Sequence, residues 1–581
     1  MAALRGVPTA LLRCDGPDGW LRFGAPEAVL EAATPGDVPE VLKEVARGVE
    51  SRGLWACGFL SYEAAPAFDA ALDVRRDPEF PAAWFGLFAP PTPMGSSLPP
   101  ASGHPSPWAP TMDRRSYAAA LSRIRTHLAS GQTYQVNLTY RIRARIEDPW
   151  DLFLHLAGGD PPYAAYLDTG AWTICSASPE MLFVQDGDRI LSRPMKGTTP
   201  RGRSSEEDLR RAQRLLRSEK ERAENVMIVD MVRNDIGRVG IPGSVRVPRL
   251  FTVERHSSVW QMTSTVVGRT RGAPYDTLGA LFPAASVTGA PRRRTMQIIR
   301  ELETTPRRIY TGAIGWIAPG RRARFSVAIR TAAVRRSDGE AEYGVGGGIV
   351  WDSRTDAEWS ETLAKARILG PSRPPFDLLE TLRWDPTAGY WLREHHLRRL
   401  ARSAAYFGYP LDRSSAAEEL ERVVRHRPSV AQRVRLRVSR EGAVSAEASG
   451  MDALSPVRTV RLAHRPIDPD DVFLYHKTTN RRVYASAMED APAEGDALLY
   501  NPDGEVTETT IANVAVERGG ALITPPIHCG LLPGTCRQWM LDQGRVREGV
   551  VTVREVLATG RLWLMNAVRG MWQVTVDRGS S

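Results

Sequence analysis

The chain has 581 residues, 42% hydrophobic and 25% charged, with a mean hydropathy of -0.30; this is the composition of a globular protein of roughly two to four domains. Its apolar runs fall short of the ~20 residues of a membrane span, and charges interrupt the apolar N-terminal run, so no signal peptide and a cytoplasmic location are expected. The net charge of +9 does not mark a nucleic-acid binder, because 67 acids are interleaved with the 76 cations and the longest basic run is Arg292–Arg293–Arg294.

Five scattered cysteines, without a C-x-x-C pair, argue against a disulfide framework or a structural zinc site. In chain order, the Pro-, Ser- and Gly-rich stretch from Pro90 to Pro110 is expected to be an extended or disordered loop outside any core. SYAAALSRIRTHLASG then predicts a helix ending at Gly131. WTICSAS, EMLFVQ and ARFSVAIRTAAV alternate as strands, and the run from Glu206 to Gly237 predicts a long amphipathic helix or a helix pair. GPSRPP, residues 370–375, reads as a domain linker. Beyond it come a strand LLETLRW, a helix EHHLRRLARSAAYFG, a weaker break at Arg465–Asp471 and strands around RTVRLAH, ALLYN and IANVAVE. Helices and strands do not alternate in strict βα units, so the fold class is α+β rather than a doubly wound sheet.

The informative compositional fact lies within the cations: only Lys43, Lys196, Lys220, Lys365 and Lys477 are lysine, and the other 71 are arginine. Arginine stays protonated, whereas lysine can act as an amine nucleophile or Schiff-base former. Each lysine is therefore a candidate for amine chemistry, with Lys43 and Lys220 expected at ordinary surface sites.

Between residues 116 and 369 four features suit an anionic small molecule held with a divalent metal. Glu358 and Glu361 lie three apart on a predicted helix, with Lys365 one turn further; that pattern also suits a solvated helix face with an i,i+4 ion pair. Glu224 sits on another predicted helix, and three carboxylates suit Mg²⁺. The glycines of GVGGGIV would let backbone N–H groups approach a carboxylate or phosphate. Lys196 stands in SRPMKGTTPRG between a strand and a Gly-rich turn.

The runs SASPEMLF, PMKGT, RAENVMIVDMVRNDIGRV, FPAASVTGAP, TGAIGW, SVAIRT, GVGGGIV and AEWSET resemble the chorismate-utilising enzymes in order and at similar spacing. Residues 1–115 look like the variable N-terminal part of that fold, an anthranilate synthase component I-like β-sandwich with flanking helices, and 116–369 like its catalytic core. In this family anthranilate synthases carry a small residue where Lys196 stands, and aminodeoxychorismate synthases carry lysine. The resemblance implies that Lys196 attacks C2 of chorismate while Glu180 protonates the departing C4 hydroxyl, and that ammonia then displaces the lysine. It implies Glu224, Glu358 and Glu361 as Mg²⁺ ligands, and Arg330, Gly346, Gly347, Thr288 and Lys365 as substrate-binding residues. Two positions depart from the pattern: Arg292 replaces a lysine, which leaves a charge role, and Gln261 replaces a histidine, which removes a proton shuttle. No glutaminase is evident, so ammonia comes from solution or from a separate glutamine amidotransferase subunit.

From FDLLETLRW onward the chain resembles the fold-type-IV pyridoxal-phosphate enzymes, a two-subdomain α/β unit over residues 376–581. Lys477 then carries the cofactor and moves protons, Glu508 meets the pyridine nitrogen, and Arg399, Gly534 and Thr535 hold the phosphate. The resemblance allows a homodimer through this domain and leaves lyase and aminotransferase open. The fusion favours an aminodeoxychorismate lyase making 4-aminobenzoate, which serves folate synthesis or a secondary metabolite. The rivals are an anthranilate-type synthase fused to a class IV aminotransferase, and a non-catalytic chorismate-binding regulator.

Overall fold

The computed structural model describes residues 9–14, 19–95, 98–103, 106–256, 258–370, 374–426, 429–451, 457–489, 491 and 495–577. Residues 1–8 of the N-terminal run, 96–97 and 104–105 of the Pro-rich stretch and 371–373 of the expected linker lie outside them. The chain divides into two compact units: Met1–Pro200 with Ala212–Ser372, and Arg201–Arg211 with Arg373–Ser581.

The first unit is built on two ten-stranded sheets whose pairings are antiparallel. Strand periodicity explains why they face each other. Ala10 and Leu12 of one sheet and Cys57, Phe59, Trp84 and Phe88 of the other share one buried cluster. Their neighbours Leu11 and Ala56, Leu60, Phe85 and Leu87 point the opposite way, into two clusters roofed by helices. Helices Val38–Arg52, Glu219–Val239 and Pro274–Leu281 cover one outer face, and Arg114–Ala129, Pro149–Ala157 and Arg292–Leu302 the other. The expected sandwich with flanking helices is thus observed.

Three local expectations are refined. The segment ARFSVAIRTAAV is two strands, Arg322–Val327 and Thr331–Arg335, in different sheets. The chain changes sheet at Arg330, whose φ of 51° is left-handed, an uncommon conformation for a residue with a side chain. The glycines of GVGGGIV, expected to offer backbone N–H groups to a carboxylate or phosphate, lie inside strand Glu340–Ile349. Part of the Pro-rich stretch is structural: Thr92–Met94 pairs with Trp20–Phe23, Ala109–Pro110 with Gln135–Arg145, and Trp108 packs edge-on against Tyr343.

The second unit has two subdomains. Strands Gly389–Tyr390, Leu378–Asp385, Gln432–Val438 and Val444–Gly450 form a sheet packed on helices Arg393–Phe407 and Arg413–Val423. The other sheet has eight strands, and Thr459–Leu462 runs parallel to both its neighbours. It closes on itself because Val506–Thr509 pairs both with Asp496–Tyr500 and, through Glu508 and Asn513, with Asn513–Arg518. Among the described residues no helix is long and apolar enough to cross a membrane.

Candidate active sites

Lys196 lies on strand Met195–Pro200, which pairs with Val259–Arg269. Met195 faces Thr263 but Thr198 faces Gln261, so three steps on one strand match two on the other. The extra residue is a β-bulge at Lys196 and Gly197, which re-aims the lysine side chain. Gly197 has φ +98°, and a Cβ there would stand 3.3 Å from the Met262 Cβ. Side chains pin the bulge. The Gln261 amide donates to the Gly197 carbonyl at 2.8 Å and accepts from the Thr198 hydroxyl at 2.9 Å. Asn225 donates to the Lys196 carbonyl at 3.1 Å and itself accepts from Ser264 at 2.6 Å.

The Lys196 Nζ meets the Glu224 carboxylate at 3.1 Å. On its other side stands Gly348, where a Cβ would come within 2.6 Å of the Nζ and 3.1 Å of the Gln135 amide nitrogen. Gln135 is fully buried and both polar atoms of its side chain lack partners. A buried unpaired amide is costly, so this one is set to meet something polar beside the lysine. Glu180 is buried and accepts from the Ser286 hydroxyl at 2.6 Å. Burial pushes its carboxyl up to about 7, against the Ser286 bond, a Met195 backbone bond and the Lys196 charge. Arg330 is largely buried; burial lowers its pKa, and no carboxylate pairs with it among the described residues.

The expected metal ligands are not gathered. Among the described residues no three acids come together to hold an ion. Glu224 is paired with Lys196 and Glu361 with Lys365 at 2.8 Å, while burial raises Glu358. The donors nevertheless suit Mg²⁺: they are hard carboxylate oxygens, and Glu358 feels the charges of Glu361, Lys196 and Lys365. Lys365 also donates to the Gly346 carbonyl at 2.7 Å, so it braces the glycine strand. Gly347 faces the same group, since a Cβ there would lie 3.3 Å from Glu358 Oε2. The Thr288 hydroxyl donates to the Ala284 carbonyl at 3.0 Å and closes a turn. Arg292 pairs with Asp235 at 2.5 Å, the charge role expected of it.

In the second unit Lys477 is partly buried. Its carbonyl accepts from Leu379 N at 3.0 Å, tying it to the edge of strand Leu378–Asp385. Burial, then the charges of Arg399 and Arg481, bring its amine down to about 8, while Glu380 and Glu508 oppose. Glu508 sits at the strand pairing that closes the barrel. Tyr484 O–H and Leu532 N–H donate to its Oε1 at 2.8 and 3.1 Å, and Asn513 to Oε2 at 3.1 Å. Burial raises it to about 7. A carboxylate has about four acceptor sites, so one remains for a further donor.

Arg399 grips Glu380 in a fork at 2.9 and 2.6 Å and donates to the Pro533 carbonyl at 3.1 Å, leaving two of its five N–H groups. Burial opposes ionisation of Glu380, but Arg399 and then His396 hold it at about 2. His396 joins Glu380 to the Thr535 hydroxyl, at 2.7 and 3.2 Å. Arg399 therefore shares its charge with Glu380, which the expectation of a simple phosphate clamp omitted. Gly534 begins helix Thr535–Asp542, and a Cβ there would strike Asn513 Oδ1 at 1.9 Å. A close backbone approach at a helix N-terminus, with a buried amine and a buried carboxylate, fits pyridoxal phosphate.

Gln135, Asn225, Tyr484, Glu380 and His396 were absent from the sequence-based set. Glu380, the one acid of the strand LLETLRW, gave a signal, as did Tyr484 in LYHKTTNRRVYASA; nothing in the sequence singles out Gln135.

Residues 94–370 match the model of the family described as chorismate binding enzyme, and 377–576 that of amino-transferase class IV. The chain is 38% identical to anthranilate synthase component 1 of Streptomyces coelicolor over 60% of this chain and 67% of that protein. It is 42% identical to aminodeoxychorismate synthase component 1 of Salmonella typhimurium over 46% of this chain and 59% of that one. It thus spans roughly three fifths to two thirds of those relatives. The crystal structure of anthranilate synthase component I from Streptococcus pneumoniae superposes with a TM-score of 0.52 at 25% identity, covering 64% of this chain and 94% of the other.

Proposed function

Since the chain belongs to the chorismate-binding enzymes and carries a class IV aminotransferase domain behind that fold, we propose that it makes 4-aminobenzoate in two steps, as an aminodeoxychorismate synthase and an aminodeoxychorismate lyase. The observation that carries the reading is the bulged Lys196, aimed between Glu224 and the orphaned Gln135 amide. Relatives of both synthase types match the first unit, and an amine beside an orphaned buried amide supports the reading in which a nucleophile is needed.

In the first reaction the Lys196 nitrogen bonds to C2 of chorismate, the ring double bond shifts, and the C4–O bond breaks. Glu180, a carboxylic acid near neutrality, gives its proton to the leaving hydroxyl, which departs as water. Ammonia then bonds to C4 and the C2–Nζ bond breaks, returning Lys196. Arg330 supplies a buried guanidinium for a substrate carboxylate. Glu224, Glu358 and Glu361 would hold Mg²⁺, whose chemistry is to neutralise the other carboxylate. Ammonia is supplied by a separate glutamine amidotransferase.

In the second reaction pyridoxal phosphate, when bound, supplies an electron sink for loss of pyruvate from aminodeoxychorismate. Lys477 holds the cofactor and, with an amine near 8, takes and returns protons at the reacting carbon. Glu508 would meet the pyridine nitrogen and keep it protonated. Gly534, Thr535 and the two remaining N–H groups of Arg399 would receive the phosphate.

The test is one incubation with chorismate, ammonium, Mg²⁺ and pyridoxal phosphate. The expected aromatic product is 4-aminobenzoate with one pyruvate; anthranilate as the product excludes the reading of the first unit, and aminodeoxychorismate that accumulates unchanged excludes that of the second.

A further inference from the structure

The second unit is not simply the C-terminal part of the sequence. Arg201–Arg211, which follows directly on the Lys196 strand in the sequence, belongs to it. Arg201 forks onto Asp208 at 2.8 and 2.7 Å, and the two side chains are 8% and 5% exposed. A charge pair so removed from water persists only with close geometry and further hydrogen bonds. Those bonds are present: Gly202 N–H also donates to Asp208, and Arg201 donates to the Tyr406 carbonyl at 2.9 Å. Gly202 admits no side chain, since a Cβ would stand 2.2 Å from Asp208 N.

What this folded segment rests on is the approach to Lys477. The Arg201 guanidinium lies 4.4 Å over the Tyr406 ring, and the Tyr406 hydroxyl donates back to the Gly202 carbonyl at 2.7 Å. The Tyr406 ring also packs against His476, at 4.2 Å and 30°. His476 is buried, bonded to Ser403 at 3.0 Å, and adjoins Lys477. Arg203 lies 5.6 Å over Tyr475, the next residue back. The two residues before the lysine are thus backed by aromatic and cationic groups tied to this segment, while the lysine carbonyl is fixed from the other side by Leu379.

We propose that Arg201 and Tyr406 are positioning residues for Lys477, acting through His476, so that eleven residues from the N-terminal half of the sequence complete the cofactor-binding wall of the C-terminal catalytic unit. The proposal rests on the reading that Lys477 carries pyridoxal phosphate. The test uses the full chain, titrated with pyridoxal phosphate and followed by its visible absorbance, with borohydride fixation at Lys477 located by peptide mass spectrometry. Arg201→Ala is expected to weaken cofactor binding at least tenfold, shift the band and lower fixation at Lys477. On added aminodeoxychorismate kcat falls while KM holds. Tyr406→Phe keeps the ring but loses the Gly202 bond, and gives a smaller loss of the same kind. Arg402→Ala removes an exposed pair with Glu206 on the same segment and stays at wild-type values. Wild-type binding, band and fixation in Arg201→Ala overturn the proposal; should that variant fail to fold, wild-type binding in Tyr406→Phe does so. A wild-type chain that takes up no cofactor instead refutes the reading beneath it.

Discussion

Replacing Gln261 by leucine probes whether the lysine bulge is held or merely present. Leucine has nearly the same volume but removes both bonds of the Gln261 amide. The Gly197 carbonyl is buried, so leaving it without a donor costs about 1–3 kcal/mol, whereas the Thr198 hydroxyl is exposed and loses a bond worth only about 0.5–1.5 kcal/mol that water partly replaces. The net is about 1.5–4 kcal/mol on the first unit. With an unfolding entropy near 2 cal/mol/K per residue, a unit of this size loses about 2–5 °C in Tm. The functional effect is separate: a bulge no longer fixed lets Lys196 sample orientations off its line of attack, and a loss of about 1.4–2.8 kcal/mol in its alignment is a 10- to 100-fold fall in kcat. The assay is chorismate consumption with ammonia and Mg²⁺, against turnover of added aminodeoxychorismate by the same sample. The first falls and the second holds. Wild-type kcat on chorismate together with an unshifted Tm would show that the amide does nothing for the lysine, and the reasoning from the bulge would be refuted.

Lys196→Ala is expected to abolish aminodeoxychorismate formation, measured by chromatography, and turnover by that variant excludes a covalent step. Lys477→Ala is expected to lose the cofactor's visible band and 4-aminobenzoate release from added aminodeoxychorismate; retained release would move the chemistry to another base. Glu180 works as an acid only while protonated, so at constant free ammonia the first reaction slows as pH rises through about 7; Glu180→Gln is about 10²–10⁴-fold slower and lacks that limb. Buried Glu63 is also raised to about 7 by desolvation, from 4.5, so the folded first unit holds a proton that the unfolded chain releases. Stability is complete below about 4.5 and falls as pH rises to about 7, by about 3 kcal/mol for this group. Glu63→Gln should flatten that part of the stability profile in denaturant titrations, and an unaltered slope counts against it.

Much of the fold is legible because local chemistry and burial agree. The helix ending at Gly131 follows its apolar spacing, and the break inside the Glu206–Gly237 run falls at Ser218, whose side chain caps the second helix at Glu221 N. Where the expectations fail, a contact distant in sequence decides. The glycines at 344–348 read in the sequence only as an anion approach, and their strand is not evident because side chains from elsewhere occupy their missing Cβ positions: the Tyr310 ring at Gly344 and the Lys196 amine at Gly348. ARFSVAIRTAAV alternates without interruption, and nothing in that alternation announces that Arg330 turns left-handed and carries the chain into the other sheet.

The same division runs through the two sites. Lys196 and Lys477 stand out in the sequence because arginine has replaced lysine almost everywhere else. Their companions do not stand out, since Gln135, Asn225 and Tyr484 are ordinary residues until the fold buries them. Burial then acts on the acids of both sites and on the base of the second: it lifts Glu180 and Glu508 to about 7 and lowers Lys477 to about 8. Groups that differ by some six units in water are brought within about one unit of each other in the second unit. Composition identifies the amines, but only the fold buries the acids of their sites and raises them toward neutrality. A surface lysine beside a surface glutamate has the same residue types and none of that reactivity.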